Sequence, residues 1–113
     1  MKEFQSSDIR NFALVGHGAS GKTMVSESML SCGGVVNRLG TIINGNTVSD
    51  YHEDERERKI SIHASLLHTE WKNKKFNILD TPGYADFIGE AISALRVADF
   101  AAVVVHAGHG VEV

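Results

Sequence analysis

Short apolar runs alternate along the chain with polar and glycine-rich breaks, and their periodicity changes from one run to the next. Asn11-Phe12-Ala13-Leu14-Val15 is the first buried-strand signal, and it breaks into Gly16-His17-Gly18-Ala19-Ser20-Gly21-Lys22-Thr23. A helix is predicted from Gly21 to Ser31: Val25, Met29 and Cys32 recur at three- and four-residue intervals, and Gly33-Gly34 supplies a left-handed stop. From Thr41 to Lys59 the periodicity vanishes, and Glu53-Asp54-Glu55-Arg56-Glu57-Arg58-Lys59 reads as an exposed, mobile loop. Ile60 to Trp71 is strand-like, with Ile60, Ile62, Ala64, Leu66 and His68 as one alternating set broken by Leu67. Lys72-Asn73-Lys74 turns the chain into a return strand, Phe76-Asn77-Ile78-Leu79, which Asp80-Thr81-Pro82-Gly83 stops. Phe87, Ile88, Ala91, Ile92, Leu95 and Ala98 form the core-facing stripe of a second helix. Phe100-Ala101-Ala102-Val103-Val104-Val105 is apolar throughout, as suits a central parallel strand covered on both faces.

Strands alternating with helices imply an α/β layered fold with a mostly parallel sheet and one antiparallel hairpin. The chain ends soon after a strand of central character, so the expectation is the front part of a larger domain.

Composition narrows the function classes. With 113 residues, 42% hydrophobic and 22% charged, the chain fits a globular class and a single core. A net charge of -3 gives no basic footprint for direct nucleic-acid binding. Cys32, the lone cysteine, rules out an internal disulfide and reads as a small buried hydrophobe; together with the absence of a leader-like start or a long apolar run it suggests a cytoplasmic, non-membrane protein.

The chemistry concentrates in two motifs. Gly16-x-x-x-x-Gly21-Lys22-Thr23 is a phosphate loop in the required context, after a strand and at a helix start. Its glycines let backbone N–H groups turn toward a polyphosphate, and the helix start adds a positive dipole end. Lys22 is placed to reach the β- and γ-phosphates, and the Thr23 hydroxyl to ligate Mg²⁺. Asp80-Thr81-Pro82-Gly83 has the form D-x-x-G at a strand end, where Asp80 can hold the Mg²⁺ shell and the Gly83 N–H can meet the γ-phosphate. Ser61 offers a hydroxyl just after the charged segment, where nucleotide could order a loop. The mobile segments expected to sense that phosphate are about 44–61 and 80–89. The six histidines show no metal-site spacing; His63 and His68 read as packing or edge residues, and His17 as a loop residue whose contacts are through its backbone.

Phe12 to Thr23, Glu55 to Ile62 and Asp80 to Phe87, in this order and spacing, resemble the amino-terminal part of the GTP-binding domain of elongation factor G. That resemblance implies a phosphate-loop fold with helices on both sheet faces, a GTPase using GTP and Mg²⁺, and the ribosome as partner through the full-length protein. It marks residues 16–23, Asp80, Thr81, Pro82, Gly83 and Tyr84 as nucleotide-binding, Thr23, Ser61 and Asp80 as metal-binding, and Lys22 and Tyr84 as catalytic. The guanine-reading N-K-x-D motif is absent from these residues, so the residues alone leave a phosphate-loop ATPase or kinase, or a binding fragment without turnover, open. The family pattern also has a glycine at Lys59, a threonine at Ser61, an aspartate at Ala19, an apolar residue at Gly18 and a water-orienting histidine at Tyr84. These departures suggest a divergent paralogue.

Overall fold

The computed structural model describes residues 2–112. After a 3-10 turn at Ser6–Asp8 come β1 (Ile9–Val15), α1 (Lys22–Cys32), α2 (Glu53–Arg58), β2 (Ser65–Trp71), β3 (Lys74–Asp80), a second 3-10 turn at Ala85–Phe87, α3 (Ile88–Val97) and β4 (Phe100–Val103). The sheet order is β2-β3-β1-β4, with β1 parallel to both β3 and β4 and the β2-β3 hairpin antiparallel. The mostly parallel sheet with one antiparallel pair is therefore as expected.

The pleat divides β1 between two layers. Phe12 and Leu14 join Leu30, Ile78 and Leu67 in a cluster on the α1 side, while the fully buried Ala13 points the other way, and α3 packs against β1. The parallel register Leu14↔Asp80 brings the ends of β1 and β3 side by side, so the two motif-bearing loops leave the sheet at the same edge.

Several sequence expectations change. Residues 41–59 are not a featureless exposed loop: α2 lies within them, and Thr47, Ser49, Asp50 and Glu55 are buried. The strand predicted from Ile60 starts at Ser65 with the opposite parity, its buried positions being Ser65, Leu67 and Thr69 while Leu66 and His68 face out. Leu67 sets that register by entering the core cluster, and the Ser65 hydroxyl tolerates burial by donating to the Ser49 carbonyl at 2.7 Å. In α3 the alanines Ala91 and Ala94 face the sheet, whereas Ile88, Ile92 and Leu95 are exposed. Small side chains suit the narrow seam against β1. Among the described residues β4 lies at a sheet edge, with Phe100 and Val103 exposed. Cys32, at the last turn of α1, is exposed rather than buried.

Candidate phosphate and cation site

Glycine geometry shapes the loop between β1 and α1. Gly16 has φ +149°, and a β-carbon there would run into the Val104 carbonyl oxygen. Gly21 caps α1 with φ +100°, a left-handed conformation that side chains strain to adopt. Beside this cap lies buried Lys22, whose Nζ donates to the carbonyls of Gly16 at 2.9 Å and His17 at 2.8 Å. Burial pulls the Lys22 pKa down, opposed by the nearby Asp80 carboxylate. Gly83 arrives from the second motif so closely that a β-carbon would collide with Lys22 Nζ and stand 2.6 Å from Gly18 N. Only a bare backbone fits at that junction.

Behind the lysine, hydroxyls and carboxylates converge. Thr23 Oγ1 lies 3.1 Å from Ser61 Oγ, which in turn donates to Asp50 Oδ1 at 2.7 Å. Asp80 Oδ2 accepts from Ser49 at 2.7 Å and from Ser26 at 3.3 Å. The remaining oxygens, Asp50 Oδ2 and Asp80 Oδ1, are buried without a partner. Burial raises the pKa of both carboxyls; hydrogen bonds from Ser61 to Asp50 and from Ser49 to Asp80 oppose the rise, while the Glu55 and Asp80 carboxylates push Asp50 higher still. Orphaned carboxylate oxygens beside two hydroxyls form an all-oxygen donor set of the kind hard Mg²⁺ takes. The 3.1 Å between Thr23 Oγ1 and Ser61 Oγ is near the edge of about 2.9 Å for an octahedron with ~2.0–2.1 Å bonds. The residues present therefore fit the ion.

Two buried glutamates hold the covering segment, and neither was singled out from sequence. Glu27 on α1 accepts from Gly40 N at 2.9 Å and Val48 N at 3.0 Å. Glu55 on α2 accepts from Ile62 N and His63 N at 3.0 Å each, and from His52 N at 3.3 Å. Glu55 stands at the third helical position and caps the His52 N–H, but histidine at the helix start lacks the Ser, Thr, Asp or Asn that would mark a capping box in sequence. No local pattern marked Asp50.

These elements enclose a cavity of about 330 Å³ reached by Gly18, Lys22, Thr23, Ser61, Gly83 and Tyr84. Ala19 and Gly21 also line it, as do Met24, Ile42, Lys59 and Ile60, none of which was anticipated as a site residue. Of the anticipated residues, Gly16, His17, Ser20, Asp80, Thr81 and Pro82 stand outside the lining. Thr81 turns its hydroxyl inward to the Leu14 carbonyl at 2.7 Å, which ties the second motif to β1. His17 is exposed, its ring centroid 6.4 Å from that of Tyr84. A second, larger cavity of about 780 Å³ lies between α1 and the sheet, is apolar, and has Cys32 and Trp71 in its wall. It contains none of the phosphate-loop or cation-site groups described above.

The sequence profile described as "Elongation factor Tu GTP binding domain" matches residues 7–113. The chain belongs to that family. It is 40% identical over 112 residues to a protein named "Ribosome-releasing factor 2, mitochondrial" from Candida dubliniensis, covering 99% of this chain and 14% of that protein. A protein of the same name from Danio rerio is 43% identical over 106 residues, covering 94% of this chain and 14% of the relative. A crystal structure of a Thermus thermophilus protein superposes with a TM-score of 0.92 at 37% identity, over 96% of this chain and 16% of that one. The chain thus spans about a seventh of the curated relatives it matches. The resemblance to elongation factor G-like translational GTPases and the phosphate-loop fold expected from it are both borne out. The cytoplasmic location is not: the relatives are named as mitochondrial. With one cysteine these residues can form no internal disulfide in any compartment, so cysteine count does not distinguish cytoplasm from mitochondrion.

Proposed function

We propose that this chain is the nucleotide-binding front of a translational GTPase, with GTP and GDP held over residues 16–23 and the hydrolysing protein working on the ribosome. The observation that carries the reading is the convergence of Lys22, Thr23, Ser61 and the bare Gly83 backbone on one cavity, with the buried Asp80 carboxylate behind Thr23 and Lys22. Family membership supports guanine as the base, and the relatives' name supports a ribosomal partner and a place in mitochondrial protein synthesis. No helix among the described residues is long and apolar enough to cross a membrane.

In this reading Lys22 exchanges its two carbonyl partners for phosphate oxygens, a trade that improves a charge-assisted contact. Thr23 and Ser61 would hold Mg²⁺ directly, with Asp80 and its orphaned oxygen in or next to the shell; the ion would supply charge neutralisation on the β- and γ-phosphates. Water attacks the γ-phosphorus, the bond to the β–γ bridging oxygen breaks, and the bridging oxygen departs with GDP while the water's proton ends on phosphate. The Tyr84 hydroxyl takes the part of orienting that water, since a phenol donates and accepts hydrogen bonds but is a weak base at neutral pH. Turnover then depends on positioning and on charge stabilisation, and is slow without the ribosome.

The test is GTP hydrolysis by full-length wild type and Tyr84→Phe, with and without mitochondrial ribosomes, and with ATP as competitor. Ribosome-stimulated turnover that ATP leaves untouched and that Tyr84→Phe lowers about 10-fold or more supports the reading. Hydrolysis of ATP in preference to GTP, or no response to ribosomes, overturns it.

A further inference from the structure

We infer that His52, Asp54 and His63 form a site for a borderline divalent transition metal of the zinc class, separate from the phosphate cavity. One ligand atom from each residue lies within 4.8 Å of the others, although the residues span two segments of the chain. His52 precedes α2, Asp54 lies in its first turn, and His63 follows the cation-site residue Ser61 by two positions.

Buried Glu55 builds the arrangement. Its Oε1 accepts from the His63 backbone N–H and its Oε2 from that of His52, so one carboxylate sets both histidines. Asp54 is set as well, because its Oδ1 accepts from Glu55 N at 3.0 Å and leaves Oδ2 to face His63. Asp54 Oδ2 and His63 Nε2 are 3.5 Å apart, close to the edge of about 3.3–3.4 Å in a tetrahedron with ~2.0–2.1 Å bonds. The His52 and His63 rings have centroids 4.6 Å apart and planes at 53°, tilted rather than stacked, so a small side-chain rotation lets both nitrogens address one ion.

The donor set decides the metal class. Two neutral imidazoles and one carboxylate suit zinc and its neighbours, whereas Mg²⁺ and Ca²⁺ take oxygen donors. All three side chains are part-exposed or exposed, which leaves a fourth position to water. An ion there would tie the start of α2 to residues 61–63 and so hold Ser61 beside Thr23.

The experiment titrates Co²⁺, then Zn²⁺, into full-length protein saturated with GDP and Mg²⁺. The expected result is one equivalent of Co²⁺ giving the visible absorption of a four-coordinate ion, displaced by Zn²⁺. His52→Ala and His63→Gln are each expected to lose that spectrum or weaken binding about 10-fold or more, with metal-free melting temperature and GDP binding retained. His106→Ala with His109→Ala is expected to bind as wild type does. Retention of the spectrum in both His52→Ala and His63→Gln, or absence of a one-equivalent site in the wild type, overturns the proposal. Because GDP binding is read in the same samples, failure of the metal site and failure of the nucleotide site are distinguishable.

Discussion

Gly18 and Tyr84 are complementary: a β-carbon on Gly18 would lie 2.6 Å from the Tyr84 Cζ and 2.9 Å from both flanking ring carbons. The phenol ring occupies the space a larger loop residue would fill, so the two departures from the family pattern are one packing solution. Gly18→Val is expected to displace the ring, at an overpacking cost of about 1–3 kcal/mol. Combining it with Tyr84→Ala is expected to recover at least ~0.5 kcal/mol relative to additivity. A double-mutant cycle on thermal unfolding checks this, and strict additivity contradicts it.

Lys59 caps α2 in a left-handed conformation, φ 57°, where the family pattern has glycine. The strain for a side-chain-bearing residue there is about 1–2 kcal/mol, partly offset by glycine's greater unfolded-state entropy of roughly 0.5–1 kcal/mol. Lys59→Gly is therefore expected to raise the melting temperature modestly. Because Lys59 also lines the cavity, the same change is expected to leave GDP affinity equal or weaker, never tighter. A lower melting temperature contradicts the assignment of strain.

Asp50 and Asp80 give the site a pH dependence of defined sign. Both carboxyls have folded-state pKa values raised by burial, so the folded protein binds more protons than the unfolded chain between the two values. Without a cation, the stability these groups contribute is fully present below the unfolded carboxylate pKa and is lost as pH rises through the folded one. A cation favours the ionised forms, so Mg²⁺ with GDP is expected to raise the melting temperature more at neutral than at mildly acidic pH. Thermal shifts across a pH series, with and without Mg²⁺, measure it; a Mg²⁺ effect that grows on acidification contradicts it.

Glu55 is expected to be a structural anchor despite its place in a charged run. Glu55→Ala leaves backbone N–H groups of His52, Ile62 and His63 without their acceptor and is expected to cost about 1–3 kcal/mol. Limited proteolysis is expected to cut the variant earlier within residues 41–63. Unchanged stability and cleavage contradict the anchoring role.

The sequence revealed most where chemistry and local geometry coincide. The phosphate loop needs Gly16, Gly21, Lys22 and Thr23 at fixed spacing; the structure places Gly21, Lys22 and Thr23 along one cavity with Gly83 and Ser61, while Gly16 packs against the Val104 carbonyl outside it. Less was legible where tertiary contacts decide. The burial of Asp50, Glu27 and Glu55 follows from partners outside their own helix or turn, and a run such as Glu53 to Lys59 looks solvated until one of its carboxylates finds N–H donors in the following segment. The parity of β2 was inverted for a similar reason: Ser65 and Thr69 are buried because Leu67 between them enters the core. The convergence of His52, Asp54 and His63 was invisible in their spacing because Glu55 creates it.

Equilibrium binding of a fluorescent GDP to full-length protein, with and without Mg²⁺ and in wild type against Lys22→Ala, tests the phosphate cavity most directly. The expected result is Mg²⁺-dependent binding by the wild type that Lys22→Ala weakens about 10- to 100-fold, the worth of a charge-assisted contact. Equal affinity of the two proteins, or no binding by either, contradicts it.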